Sequence, residues 1–293
     1  MEYVLSPSIL SADFAVLGDE IQKTESEGAK YLHFDVMDGV FVPSISFGMP
    51  VLKSVRKVTG QVLDVHLMIT EPIRYVEEFA KSGADIITIH YEACKDVRAT
   101  LAKIRELGVK TGISICPETP ETVLEEFIGE ADMFLVMTVH PGFGGQKLIP
   151  ETLDKVRRLR NMLEEKGTET DIQVDGGVHL GNVREILDAG ANVLVAGSAV
   201  FKGDAAANTR EFMESLRSYE ENRDYHRGST GRGVRRKDTW RKRGSLHNRC
   251  RQRRGVFVPS PDHATAYCRR FRQHRSGSHQ ILQRRDTCAG TGI

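Results

Sequence analysis

The chain has 293 residues, 40% of them hydrophobic, and a formal net charge of +1 that averages two unlike parts. Residues 1–222 hold 22 Lys+Arg against 36 Asp+Glu, a net of −14, whereas 223–293 hold 19 against 4, a net of +15. No apolar run reaches bilayer length, no basic-plus-apolar leader opens the chain, and five cysteines without CxxC spacing argue against a disulfide framework. The expected setting is therefore reduced, cytoplasmic and free of membrane.

The acidic part repeats one junction, a helix-like stretch, a glycine, then an apolar strand. It occurs at Glu27-Gly28-Ala29, Ser82-Gly83-Ala84, Leu107-Gly108-Val109 and Ala189-Gly190-Ala191, with weaker copies at Gly60, Gly129 and Gly167. Glycine just past a helix end takes up the left-handed backbone without a Cβ penalty. In chain order, strands are predicted at 3–9, 30–36, 62–68, 85–90, 111–115, 132–138, 171–175 and 193–197. Between them, Thr70 is expected to cap a helix with Pro72 in its first turn and Ile73, Val76, Phe79 and Ala80 on one face. A second helix over 151–166 places Leu153, Val156, Leu159 and Leu163 on one side and Arg157, Arg158 and Arg160 mostly elsewhere. Eight strands alternating with helices predict an α/β chain folded as a (β/α)8 TIM barrel. An open doubly wound sheet would scatter the carboxylates described next over two faces.

The strand near 31–37 presents unusual chemistry. Its alternation turns His33, Asp35 and Met37 to one face and Leu32, Phe34 and Val36 to the other, and Asp38 follows at the break into a loop. A buried His and Asp need a partner, either each other in an ion pair or a bound divalent cation. Barrel chemistry collects at the C-terminal strand ends. Those ends read Ser8, then His33-Asp35-Met37, His66-Met68, His90, Met137, Asp175 and Gly197-Ser198. Two His and two Asp from three strands suit Zn²⁺, with Fe²⁺ and Mn²⁺ also compatible. His90 reads as a hydrogen-bonded barrel-end histidine. Met37, Met68 and Met137 read either as core or as an apolar wall beside a reacting group.

Glycine-rich loops follow the last three strands, at 140–146, 174–178 and 196–199. One Gly-Gly is an ordinary turn. Three on one rim point to phosphate, which backbone N–H groups approach closely where side chains are absent. Neither a Walker A motif nor a dinucleotide fingerprint occurs.

The segments His33-Phe34-Asp35-Val36-Met37-Asp38-Gly39, Phe41-Val42-Pro43, Asp64-Val65-His66-Leu67-Met68, Pro141-Gly142-Phe143-Gly144-Gly145-Gln146 and Val174-Asp175-Gly176-Gly177 closely resemble the ribulose-phosphate 3-epimerase family. The resemblance spans about residues 3–218 and implies interconversion of D-ribulose 5-phosphate and D-xylulose 5-phosphate. It implies one divalent metal ion (Zn, Fe(II), Mn or Co) on His33, Asp35, His66 and Asp175. Asp35 and Asp175 would be the acid/base pair, and Ser8 and His66 would contact substrate. Met37, Met68 and Met137 would line the space beside it. The phosphate would fall to Gly142, Phe143, Gly144, Gly145, Gly176, Gly177, Gly197 and Ser198, and the protein would be a homo-oligomer. Ser44 and Leu148 depart from the family pattern, which has Asn and an aromatic residue there. An epimerase of a six-carbon ketose phosphate such as allulose 6-phosphate would share every motif. A related barrel decarboxylase would need Asp-x-Lys-x-x-Asp, and Asp35-Val36-Met37-Asp38 has no lysine.

From Arg223 the composition turns arginine-rich, with 17 Arg and 2 Lys to the end, little periodicity, and Trp240, Phe257, Tyr267 and Phe271 interspersed. A segment so poor in apolar residues is expected to be disordered. Its abrupt onset reads as out-of-frame translation after a frameshift near residues 215–235. A nucleic-acid-binding tail is the functional alternative.

Overall fold

The structure, a computed structural model, describes residues 1–230, with side chains through Arg223. Eight strands, β1 (Val4–Pro7), β2 (Tyr31–Met37), β3 (Val62–Met68), β4 (Ile86–His90), β5 (Lys110–Ile115), β6 (Met133–Met137), β7 (Asp171–Asp175) and β8 (Val193–Ala196), form one sheet. Every neighbouring pair is parallel, in the order β1-β8-β7-β6-β5-β4-β3-β2. A lone parallel bridge from Ser8 to His33 brings β1 back to β2 and closes the ring. The predicted (β/α)8 barrel is the observed fold, and the open-sheet rival fails because its strand order would reverse in the middle. Strand ends differ from expectation by one or two residues.

Eight helices surround the ring: α1 (Leu17–Ser26), α2 (Met49–Val55), α3 (Val76–Lys81), α4 (Val97–Glu106), α5 (Thr152–Glu165), α6 (Val183–Asp188), α7 (Ser198–Phe201) and α8 (Ala205–Thr230). Between β5 and β6 the crossover is a 3-10 turn, Glu121–Phe127. The outward strand faces, Leu32, Phe34 and Val36 on β2 and Leu63, Val65 and Leu67 on β3, pack with Leu52, Val76, Phe79, Leu101 and Val156 in one core. Val4, Ile86, Met133 and Val193, at or near their strand starts, plug the N-terminal end of the barrel. Above that plug the interior turns polar, with Ser6, Asp64, Thr88, Ser114 and Gln173 all fully buried.

Gly112 of β5 leaves room for that polar layer. A Cβ there would stand 2.2 Å from Thr88 Oγ1 and 3.1 Å from the Thr88 Cα. Gly112→Ala is expected to destabilise the barrel by about 1–3 kcal/mol, the usual cost of overpacking, seen as a lower urea midpoint. An unchanged midpoint would mean the layer yields freely.

Several local expectations need correction. The strong junction glycines adopt positive φ, 96° at Gly28, 105° at Gly83, 75° at Gly108 and 109° at Gly190, but Gly60 does not. Gly60 instead offers its N–H to Glu25 Oε1 at 2.9 Å, an approach a Cβ would crowd. Thr70 caps no helix. Its N–H donates to Asp38 Oδ2 at 2.8 Å, and Glu71, left-handed at φ 53°, separates it from a 3-10 turn, Pro72–Arg74, before α3. Arg160 lies on the buried side of α5 at 7% exposure. Its guanidinium donates to the carbonyls of Gly190 and Thr170 and to Asn192 Oδ1, so each of its nitrogens has a partner where the helix pattern alone left it outside.

Helix α8 continues past the charge boundary at 222 to Thr230. The expectations of a disordered tail, a frameshift and nucleic-acid binding fall almost wholly outside the described residues. Among those residues no helix is long and apolar enough to cross a membrane, and the two cysteines, Cys94 and Cys116, are free.

Candidate active site

Strand alternation delivers the chemistry to one point. From β2 come His33 and Asp35, from β3 His66, and from β7 Asp175. One donor atom of each lies within 4.8 Å of the others. His33 Nε2 stands 3.2 Å from Asp35 Oδ1 and 3.8 Å from Asp175 Oδ2, and His66 Nδ1 stands 3.4 Å and 3.6 Å from the same oxygens. Zinc-type bonds of about 2.0–2.2 Å put neighbouring ligand atoms about 3.3–3.6 Å apart, and these four His-to-Asp separations lie close to that range. His33 Nε2, Asp35 Oδ1 and His66 Nδ1 are also buried without a well-formed hydrogen bond. The residues fit a divalent cation.

Electrostatics points the same way. Burial opposes charge on His33, Asp35 and His66, yet the Asp35 and Asp64 carboxylates outweigh it at His33 and raise it well above the ordinary imidazole value. Burial is likewise outweighed at Asp35, which His33 and then His66 hold well below the usual carboxylate range. His66 is raised against its burial by Asp175 and Asp35. The carboxylates therefore call for positive charge, from protons or from a metal ion.

Behind each histidine lies a second layer. His33 Nδ1 meets Asp64 Oδ2 at 2.8 Å, and that oxygen also accepts from Gln173 Nε2 at 2.5 Å and Ser6 Oγ at 3.1 Å. This bond fixes the His33 ring so that Nε2 faces the cluster. His66 Nε2 meets His90 Nε2 at 2.9 Å. Burial pushes His90 down to about 4, so it is neutral at ordinary pH. Asp64→Ala strands three buried donors and is expected to cost about 3–5 kcal/mol in urea unfolding of the ion-free protein. A loss below about 1 kcal/mol would show the layer to be replaceable by water.

The cluster lies at the floor of a pocket whose empty space, open mouth included, is about 570 Å³. Ser8 and Asp35 line it together, joined by a 2.5 Å hydrogen bond from Ser8 Oγ to Asp35 Oδ2. Met37, Met68 and Met137 line it as an apolar side, and Asp175 opens into it at 16% side-chain exposure. The three glycine loops complete the rim. Thr138 Oγ1 donates to the Asp175 and Gly176 carbonyls, and Gln146 Nε2 to the His140 and Phe143 carbonyls. Gly177, at φ 66°, passes so near the Leu148 backbone that a Cβ would lie 2.2 Å from its nitrogen. Only glycine fits that crossing.

All the residues expected at the site are brought together. Ser8, Asp35, Met37, Met68, Met137, Gly142, Phe143, Gly144, Gly145, Asp175, Gly176, Gly177, Gly197 and Ser198 line the pocket, while His33 and His66 are fully buried beneath it. Asp38 turns away. Its oxygens accept from the N–H groups of Val40, Phe41 and Thr70 and pin the loop after β2. Residues missed are Leu10, Ser11, Val139, Val178 and Val195 on the pocket and Asp64 and Gln173 behind His33, whereas His90 is the hydrogen-bonded barrel-end histidine expected. Asp64 and Gln173 were detectable, since each shares its strand face with a cluster residue two positions on. Ser11 carries no such signal.

Against known proteins, the Ribulose-phosphate 3 epimerase family profile matches residues 4–201. The ribulose-phosphate 3-epimerase of Synechocystis sp. is 50% identical over 217 residues, 73% of this chain and 93% of that protein. That of Bacillus subtilis is 51% identical over 198 residues, 67% of this chain and 91% of that protein. Among solved structures, KGPDC from Streptococcus mutans superposes at a TM-score of 0.56 and 13% identity over 74% of this chain and 99% of that one, which is likeness of fold alone. With the profile and the two relatives in agreement over the barrel, the chain belongs to the ribulose-phosphate 3-epimerase family and is an isomerase acting on carbohydrates.

Proposed function

We propose that the protein interconverts D-ribulose 5-phosphate and D-xylulose 5-phosphate, with Asp35 and Asp175 as the acid/base pair. One observation carries the reading: two carboxylates from strands three places apart round the ring meet two histidines under a glycine-rimmed pocket. Inversion beside a ketone removes a proton from one face of C3 and returns one to the other. It needs two carboxyls in opposite protonation states, exchanging roles with direction. Asp35 and Asp175 approach the pocket from different sides and supply that pair. Ser8 holds Asp35 in place through its hydroxyl. The methionines keep water from the reacting carbon, and the loops of Gly142–Gly145, Gly176–Gly177 and Gly197–Ser198 take the phosphate.

His33, Asp35, His66 and Asp175 would hold one divalent ion, Zn, Fe(II), Mn or Co. Bound there, it would supply Lewis-acid polarisation of the ketose carbonyl and of the enediolate that follows. Self-association belongs to the same reading. Val40 and Ile45, 76% and 82% exposed, leave apolar surface on the loop after β2, and light scattering would report the assembly.

The experiment is a coupled assay with ribulose 5-phosphate and allulose 6-phosphate as competing substrates for the ion-replete protein. A higher kcat/KM for the five-carbon sugar is expected. Preference for allulose 6-phosphate would replace the substrate, and no turnover of either would overturn the reading.

A further inference from the structure

His90 has no part in the proposed reaction, yet it links the cluster to the rim. Its Nε2 lies 2.9 Å from His66 Nε2, and its Nδ1 lies 3.3 Å from Glu92 Oε2. Only one proton fits in the nitrogen-to-nitrogen contact. A carboxylate accepts and cannot donate, so the proton between His90 and Glu92 sits on His90 Nδ1. Neutral His90 then presents a bare Nε2. His66 must donate to it through its own Nε2, which leaves the His66 Nδ1 lone pair facing Asp35 and Asp175. Glu92 is itself held, since Oε1 accepts from the Cys116 N–H at 2.8 Å and from the Thr119 hydroxyl. Lys155 steadies that loop by donating to the Thr119 carbonyl at 2.5 Å.

We propose that Glu92 is a positioning residue that acts through His90 to select the one neutral tautomer of His66 able to ligate a cation. The inference rests on the metal reading above and deepens it. With the chain of protons reversed, His66 Nδ1 would carry hydrogen and point it at the ion. The bond from His33 Nδ1 to Asp64 does the same for the other histidine directly, whereas His66 is served at one remove.

Glu92→Gln separates this role from mere packing. The side chain keeps its volume, but its amide oxygen is drawn to the Cys116 N–H and the Thr119 hydroxyl, which turns the NH₂ toward His90. His90 Nδ1 must then accept, its Nε2 must donate, and His66 is protonated at Nδ1. Glu92→Ala removes that bias and leaves His90 Nδ1 only the Cys116 thiol, 3.6 Å away, which can donate or accept and so permits either tautomer. In chelator competition with Co²⁺ on the full chain, Glu92→Gln is expected to bind about 10–100-fold more weakly than the unmodified protein, as loss of an outer-layer partner commonly does. Glu92→Ala should fall between the two. Unfolding midpoints in chelator serve as the control, because a packing role predicts the opposite order, with Ala worse than Gln. Affinity of Glu92→Gln within about threefold of the unmodified protein, well short of that effect, would overturn the proposal, as would Ala weaker than Gln. Failure of the unmodified protein to bind Co²⁺ would instead overturn the metal reading, and the relay with it.

Discussion

Asp175→Asn in the ion-replete protein is expected to lower kcat for epimerisation by about 10³–10⁴-fold, at the upper end of what one positioned acid/base group contributes. The carboxamide keeps the shape of the side chain and an oxygen for the cluster, but it neither removes nor returns a proton at C3. Asp175 is the member of the cluster most open to the pocket, so the substitution disturbs the buried layer least. Asp35→Asn should be as damaging to turnover. It should also weaken folding, because Asp35 accepts from Ser8 at 2.5 Å and is only 3% exposed. Steady-state kinetics of both variants, with unfolding curves beside them, checks the pair. A loss of less than about tenfold in Asp175→Asn would remove it from the chemistry.

Exhaustive chelation is expected to cost about three orders of magnitude in rate, the several kcal/mol that a Lewis acid contributes to a developing negative charge. Activity should return with added divalent cation. The pH dependence has a definite sign. In the ion-free chain His33 is raised well above its ordinary value, and an ion held as proposed would need the same Nε2 lone pair, so its binding would displace a proton. Cation affinity should therefore fall as pH drops below the raised His33 value and level off above it. Asp35, held low, stays ionised throughout this range and adds no slope. Dissociation constants measured from mildly acidic to alkaline pH test this, and affinity that rose on acidification would contradict it.

Much of the barrel was legible because its periodicities are strong. Leu32-Phe34-Val36 against His33-Asp35-Met37 is a period of two with unlike chemistry on the two faces, and the structure divides the strand accordingly. The junction glycines mark helix ends through a backbone requirement that acts locally. What was not legible depends on contacts distant in sequence. Arg160 is buried because the carbonyls of Gly190 and Thr170 and the amide of Asn192 happen to meet its guanidinium, which no helical wheel records. Thr70 has the composition of a cap, but the Asp38 carboxylate, 32 residues earlier, takes its N–H. At the site, the residues with rare chemistry stood out, and Ser11 did not, because serine in a turn is unremarkable. Asp64 and Gln173 lay on faces already recognised as inward. Their partnership spans 109 residues and exists only once the ring has closed.

The most direct test of two carboxylates serving opposite faces is isotope exchange at C3 in deuterated water, with the ion supplied, using Asp35→Asn and Asp175→Asn. Each variant keeps one base, so each should wash out the C3 hydrogen of one pentulose phosphate without inverting it. The account predicts complementary results, one epimer exchanged by the first variant and the other epimer by the second. Exchange of the same epimer by both, or of both epimers by either, would contradict it.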